Sequence, residues 1–94
     1  MLHHIIVKFN NTVEDKHLVI SKASELFERL RSLDGINDVN LYPNCIDRDN
    51  RYDLMIVIDM DKKALETYDS CEVHKTWKAD FGKYILSKAI FDRE

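Results

Sequence analysis

A chain of 94 residues, of which 45% are hydrophobic and 33% charged, has the composition of one globular domain, which we place at residues 1–94. The net charge is −3 and both signs are mixed along the chain, so the sequence predicts no basic surface for nucleic acid or an anionic membrane. The apolar run at residues 5–7 is too short for a signal peptide core or a membrane span. We therefore predict a cytoplasmic protein in which Cys45 and Cys71 are free thiols.

The first third of the chain predicts a strand and then an amphipathic helix. Residues 3–9 alternate, with Ile5, Val7 and Phe9 on one face and His4, Ile6 and Lys8 on the other. After a turn at residues 10–11, Thr12 is the predicted N-cap of a helix that Gly35 ends. Apolar residues recur in that helix at steps of four, three, four and three, with one addition: Val19, Ala23, Leu26, Leu30 and Leu33, widened by Phe27.

The rest of the chain predicts three strands and two helical pieces. Strands are expected at residues 36–42, 52–60 and 84–92, with one helix from Asp61 through Tyr68 and another over residues 70–81 that Gly82 ends. Tyr68 and His74 would point roughly 120° apart on an unbroken helix, since each residue turns the helix by about 100°. Asp69 and Glu72 have the spacing of a capping box, which predicts a break that lets the two side chains converge.

The element order β-α-β-β-α-β predicts an α+β, ferredoxin-like sandwich, with a four-stranded antiparallel sheet and both helices on one face. A half-solvated sheet should alternate apolar and polar residues, yet residues 54–58 are apolar on both faces. The second sheet face therefore needs a cover from outside the chain. A second copy is the simplest cover, so we predict a homodimer whose sheets face each other as an α/β barrel.

Four segments resemble the stress-responsive dimeric α/β-barrel (Dabb) domain family across the whole chain. They are the opening Met1-Leu-His-His-Ile-Ile-Val-Lys-Phe9, the strand Tyr52-Asp-Leu-Met-Ile-Val-Ile-Asp59, the segment Ala64-Leu-Glu-Thr-Tyr68 with His74, and the ending Ala89-Ile-Phe-Asp92. The resemblance implies a ferredoxin-like fold, a homodimer with facing sheets, and a cavity between sheet and helices. Most members of the family have no established activity.

One plant branch of that family, represented by olivetolic acid cyclase, closes a poly-β-ketone by an aldol step, with a histidine as acid/base and a tyrosine assisting. The resemblance assigns these roles to His74 and Tyr68, and it also shares His4 on the first strand and Asp92 at the end of the last. The family often has a proline where this chain has Glu72. The break before His74 then depends on capping alone.

The residues themselves support both functional and structural interpretations. An imidazole and a phenol suit enolisation or aldol chemistry, but a buried pair hydrogen-bonded to each other is the alternative for His74 and Tyr68. His4 is expected beside Asp92, because the first and last strands are antiparallel neighbours. That contact either ties the chain ends together or orients His4 at the cavity.

Other chemistries find less support in the sequence. Cys71-x-x-His74 offers a thiol and an imidazole, but zinc needs three or four protein ligands, so no metal and no cofactor are predicted. Related barrels oxidise haem or quinols with asparagine, tryptophan and histidine, but here the histidine precedes Trp77, which we interpret as core or cavity wall.

Two function classes and one weaker alternative remain. The first is a small-molecule-binding barrel, and the second is a cofactor-free acid/base enzyme, cyclase- or lyase-like, acting on a β-keto or phenolic compound. A purely structural stress protein is the weaker third. The candidate site residues are His74 and Tyr68 for catalysis, with His4, Asp92 and Trp77 for substrate binding.

Overall fold

A computed structural model describes residues 1–94 and confirms the α+β, ferredoxin-like order β-α-β-β-α-β. The strands are β1 (Leu2–Phe9), β2 (Ile36–Pro43), β3 (Leu54–Met60) and β4 (Ile85–Arg93). The helices are α1 (Lys16–Glu28), α2 (Leu65–Ser70) and α3 (Glu72–Thr76). Short 3-10 turns lie at Arg29–Ser32, Lys62–Ala64 and Gly82–Tyr84, and one π-helical turn, Trp77–Phe81, continues α3.

The four strands form one antiparallel sheet in the order β2-β3-β1-β4. Chain start and chain end therefore lie side by side, because β1 and β4 are neighbours. The register of that pair places His3 opposite Asp92 and His4 opposite Phe91. Since side chains alternate between the two faces of a strand, these two pairs lie on opposite faces of the sheet.

The N-cap of α1 differs from the prediction. Asp15, not Thr12, caps the helix, and its carboxylate accepts a hydrogen bond from the Leu18 backbone N–H at 3.1 Å. The N–H and the hydroxyl of Thr12 both donate to the side-chain oxygen of Asn10 instead. Both residue types are good N-caps, and the local turn at Asn10 decides which of them is used.

The end of α1 also differs from the prediction. The α-helix stops at Glu28 and a 3-10 turn carries Leu30 into the core, so Gly35 does not cap α1. Gly35 instead lies in the turn into β2 with φ of +86°, where other residues are strained. A Cβ at this position would lie 2.7 Å from the Cβ of Ala64, so the glycine also lets the turn approach the start of the second helical region.

The predicted break between α2 and α3 is present, but its cause is different. Asp69 lies inside α2, and Cys71 is the N-cap of α3, in an extended conformation and without a side-chain capping bond. The capping-box interpretation of Asp69 and Glu72 is therefore wrong. The break lies at Cys71, whose backbone is extended at φ −76° and ψ 162°.

The core lies between one face of the sheet and the helices. It contains 18 buried apolar side chains, with Ile5, Val7 and Phe9 from β1 and Ile56 and Ile58 from β3. The opposite face is uncovered and retains exposed apolar side chains, among them Tyr42, Met55 and Phe91. No helix combines the length and the apolar character needed to cross a membrane. The two cysteines form no disulfide.

Candidate functional site

A cavity of about 330 Å³ lies between the β1–β4 half of the sheet and the helical segments α2 and α3. Its apolar wall comes from Ile5, Leu65, Trp77 and Ile90. Its polar lining is His3, Tyr68, Asp69, His74, Lys78, Lys88 and Asp92. The cavity thus contains both proposed catalytic residues and two of the three predicted substrate-binding residues.

The helix break brings Tyr68 and His74 together. Tyr68 occupies the last turn of α2 and His74 the middle of α3, and their ring centroids lie 5.0 Å apart with an interplanar angle of 63°. This is an edge-to-face ring contact and not a hydrogen bond, since the Tyr68 hydroxyl has no hydrogen-bond partner in the protein. The interpretation of the two as a mutually hydrogen-bonded structural pair is therefore wrong.

The Tyr68 hydroxyl is a buried donor without a partner. The side chain is 1% exposed, and its other ring neighbour, His3, lies 5.4 Å away between centroids. Burial raises the pKa of the Tyr68 hydroxyl far above its usual range, with smaller contributions from Cys71 and Asp69. The group stays protonated at neutral pH and is able to donate a hydrogen bond to an oxygen placed in the cavity.

The pKa of His74 is shifted in the opposite direction to that of Tyr68. Desolvation lowers the pKa of its imidazole, the positive charges of Lys78 and Lys88 lower it further, and Asp69 acts against them. The ring is therefore neutral at pH 7 and has a nitrogen able to accept a proton. A neutral imidazole beside a protonated phenol is an acceptor and a donor within one cavity.

Asp92 pairs with His3, so the predicted pairing of His4 with Asp92 is wrong. Nδ1 of His3 donates to the Asp92 carboxylate, and the His3 side chain is buried on the helix side of the sheet. His4 points to the uncovered face, where its Nδ1 donates to the Phe91 carbonyl at 3.2 Å. The two-residue period of β1 contained the signal, because His3 shares a face with Ile5, Val7 and Phe9.

Trp77 is buried at 2% exposure and forms part of the cavity wall. Its ring stacks on Phe81 at 5.1 Å and meets Phe27 edge-on at 5.2 Å, so it connects the cavity to the core. The π-helical turn starts at this residue, and such turns occur frequently at functional sites. No group of three or more His, Cys, Asp or Glu side chains is arranged to hold a metal ion.

A larger groove of about 620 Å³ lies between α1 and the π-helical turn. Its lining mixes charges of both signs, with Lys22, Arg29 and Lys83 against Glu25 and Asp80. It contains no histidine, no cysteine and no buried polar group without a partner. Size alone therefore does not make it the better candidate, and the chemistry is concentrated in the smaller cavity.

Comparison with known proteins supports the fold. Neither a protein-family model nor a curated protein matches the sequence. A solved dimeric protein of ferredoxin-like fold from Bacteroides fragilis is similar over 99% of this chain and 93% of its own, with 18% identity and a TM-score of 0.82.

Two further solved structures lead to the same conclusion. A dimeric ferredoxin-like protein from Thermobifida fusca matches 96% of this chain and 85% of its own, at 15% identity and a TM-score of 0.79. A Dabb family protein from Mesorhizobium loti matches 99% of this chain and 93% of its own, at 11% identity and a TM-score of 0.73. The chain thus shares its ferredoxin-like fold with a protein of the family that its sequence resembles.

Proposed function

We propose that this protein binds a small oxygen-bearing molecule in the cavity between β1, β4, α2 and α3. The observation that carries the proposal is that Tyr68 lines the cavity and its buried hydroxyl has no hydrogen-bond partner. Leaving such a group unpaired costs free energy, and a ligand oxygen that accepts a hydrogen bond from it would recover that cost. A volume of about 330 Å³ suits a molecule at the small end of those bound in protein pockets.

Acid/base catalysis on a β-keto or phenolic compound is the second candidate, favoured by the lowered pKa of His74 beside a protonated Tyr68. In this mechanism the neutral imidazole removes a proton from the carbon next to a carbonyl, the C–H electron pair forms the C=C bond of the enolate, and the carbonyl π pair moves to the oxygen. Tyr68 donates a hydrogen bond to the resulting enolate oxygen. Nδ1 of His3 donates a hydrogen bond to the Asp92 carboxylate, which fixes the orientation of that ring at the cavity.

Calorimetric titration with methyl acetoacetate and with phenol tests binding. We expect Tyr68→Phe to weaken binding of whichever compound the wild type binds, by about fivefold or more, since one buried hydrogen bond is worth about 1 kcal/mol. The matched control is Tyr52→Phe, because that ring is 37% exposed and lies outside the cavity. Equal affinities in wild type and Tyr68→Phe would contradict the proposal.

Proton exchange separates catalysis from binding. The rate at which the α-protons of methyl acetoacetate exchange into D₂O, above the buffer rate, reports enolisation by NMR. We expect His74→Ala to abolish that excess, whereas His17→Ala retains it, because His17 is exposed on α1. Binding without excess exchange supports the binding role alone, and excess exchange that persists in His74→Ala refutes the role of His74 as base.

We further propose that the uncovered sheet face is covered by a second copy of the chain. That face carries the exposed apolar side chains Tyr42, Met55 and Phe91, and proteins of the same fold from Bacteroides fragilis and Thermobifida fusca are described as dimeric. Light scattering after gel filtration should give twice the chain mass at micromolar concentration. We expect Met55→Glu to give a monomer and Leu18→Glu, on exposed α1 surface, to leave the dimer intact; a monomeric wild type refutes the proposal.

A further inference from the structure

Two lysines from separate elements line the cavity that contains His74. Lys78 comes from the π-helical turn and Lys88 from β4, so they approach the cavity from the helix side and from the sheet side. The positive charges of both act on the His74 ring, whose pKa they lower. Neither lysine forms an ion pair or a hydrogen bond with the protein, unlike Lys16, which is held by Asp47 and Asp53.

The carboxylates of the cavity equal the two lysines in number but form no ion pair with them. Two aspartates line the cavity, and one of them, Asp92, already accepts a hydrogen bond from His3. Asp69 is the second carboxylate, and its charge acts on the His74 ring. The formal charges of these four side chains balance, and both ammonium groups remain unpaired by the protein.

We propose that Lys78 and Lys88 bind a carboxylate of the ligand, so that the molecule held beside Tyr68 and His74 is a small keto acid. This inference depends on the ligand-binding role proposed above and adds the class of ligand. The buried Tyr68 hydroxyl is the donor for the keto oxygen, and the lysines fix the other end of the molecule. An ammonium group is a strong hydrogen-bond donor to a carboxylate, and two such groups at one rim select against uncharged ketones.

The two lysines would also link ligand binding to the basicity of His74. A substrate carboxylate placed between Lys78 and Lys88 would offset the charges that lower the pKa of His74. The imidazole would then become a stronger base, while desolvation, the largest cause of its lowered pKa, would remain. Lys78 and Lys88 are therefore proposed as ligand-recognition residues that also couple the charge of the ligand to His74.

The test compares acetoacetate with its uncharged methyl ester by calorimetric titration. The two probes share the keto group and differ in the carboxylate. We expect the wild type to bind the acid several-fold more tightly than the ester, and this preference to fall as salt concentration rises. Lys78→Met and Lys88→Met should each reduce acid affinity by about fivefold, the upper range for one exposed ion pair, and leave ester affinity unchanged. Lys75→Met is the matched control, an exposed lysine on α3 outside the cavity.

The possible outcomes separate this inference from the proposed function. Preference for the acid that Lys78→Met or Lys88→Met removes, and that Lys75→Met retains, supports it. Equal affinity for acid and ester overturns the inference, as does a preference for the acid that survives in both lysine variants. In either case, binding of the ester still supports the ligand-binding role. If neither probe binds, both the inference and its parent proposal fail for small β-keto compounds. All three lysines are exposed, so we expect each variant to fold, and thermal melts check this.

Discussion

Tyr68→Phe should make the protein more stable and at the same time weaken ligand binding. Tyr68 is 1% exposed and its hydroxyl has no partner, so the folded state carries the cost of removing that group from water, about 1–3 kcal/mol. Phenylalanine removes the cost and retains the ring contacts with His3 and His74 at 5.4 and 5.0 Å. We expect the free energy of unfolding to rise by about 1 kcal/mol, the lower end of that range, because the substitution also leaves a small void where the hydroxyl oxygen lay.

Urea unfolding followed by the fluorescence of Trp77, the single tryptophan, measures this change. The expected rise corresponds to about 4–8 °C in melting temperature for a domain of this size. Both proteins must be compared at one concentration, since stability depends on concentration if the chain dimerises. Tyr52→Phe is the control: its hydroxyl is exposed and 3.4 Å from Ser87, so we expect a change within about 0.5 kcal/mol.

A fall of about 1 kcal/mol or more in Tyr68→Phe would refute this reasoning. It would mean that the hydroxyl has a hydrogen-bond partner in the folded protein, which Phe cannot replace. Tyr68 would then be a structural residue, and the observation that carries the ligand-binding proposal would be lost. Greater stability with weaker binding is the combination expected of a group kept unpaired for a ligand.

Three further predictions concern the turn, the base and the histidine pair. Gly35→Ala should lower the free energy of unfolding by about 2 kcal/mol or more, because the added Cβ is strained at positive φ and would lie 2.7 Å from the Cβ of Ala64. Gly82→Ala, at φ −53° in open space, should leave that free energy unchanged or raise it slightly. Urea unfolding measures both, and equal effects would contradict the reasoning. Because the pKa of His74 is lowered on folding, its contribution is complete above the ordinary value of 6.5 and is lost as pH falls through the lowered pKa. Wild type should therefore lose more stability than His74→Gln between about pH 8 and pH 5, and parallel losses would exclude the effect. His3→Asn should destabilise by about 1.5 kcal/mol, by loss of a hydrogen bond to a carboxylate, and His4→Asn by less than about 0.5 kcal/mol; the reverse order in thermal melts would refute the strand register.

Periodicity in the sequence predicts the elements and their order, because burial imposes a period of two on β1 and about 3.6 on α1. Val19, Ala23, Leu26 and Leu30 are all buried as their spacing predicts. Helix ends are less predictable, since several residues near an end are able to cap it. Thr12 and Asp15 both have suitable side chains, and the bonds from Thr12 to Asn10 decide between them.

The candidate site was predictable only in part, because its geometry depends on strand register and on packing between distant segments. The convergence of Tyr68 and His74 follows from their spacing once a break is assumed, although the break comes from the backbone at Cys71. The choice between His3 and His4 depends on a register of one residue, which reverses the face of a side chain. The unpaired state of the Tyr68 hydroxyl and the shared cavity of Lys78 and Lys88 are properties of packing between distant segments, for which a single sequence carries no signal.

The edge strand β4 leaves one side of the cavity open to solvent. Its helix-facing side is incompletely covered, since Ile90 lines the cavity yet remains 49% exposed and Lys88 is exposed beside it. A continuous helix in place of α2 and α3 would turn His74 away from Tyr68 by roughly 120°. The break at Cys71 keeps both rings at the cavity while leaving the β4 side open to solvent. In the proposed binding mode, a ligand that enters from this side leaves its carboxylate at the rim beside Lys88 and directs its keto end toward Tyr68.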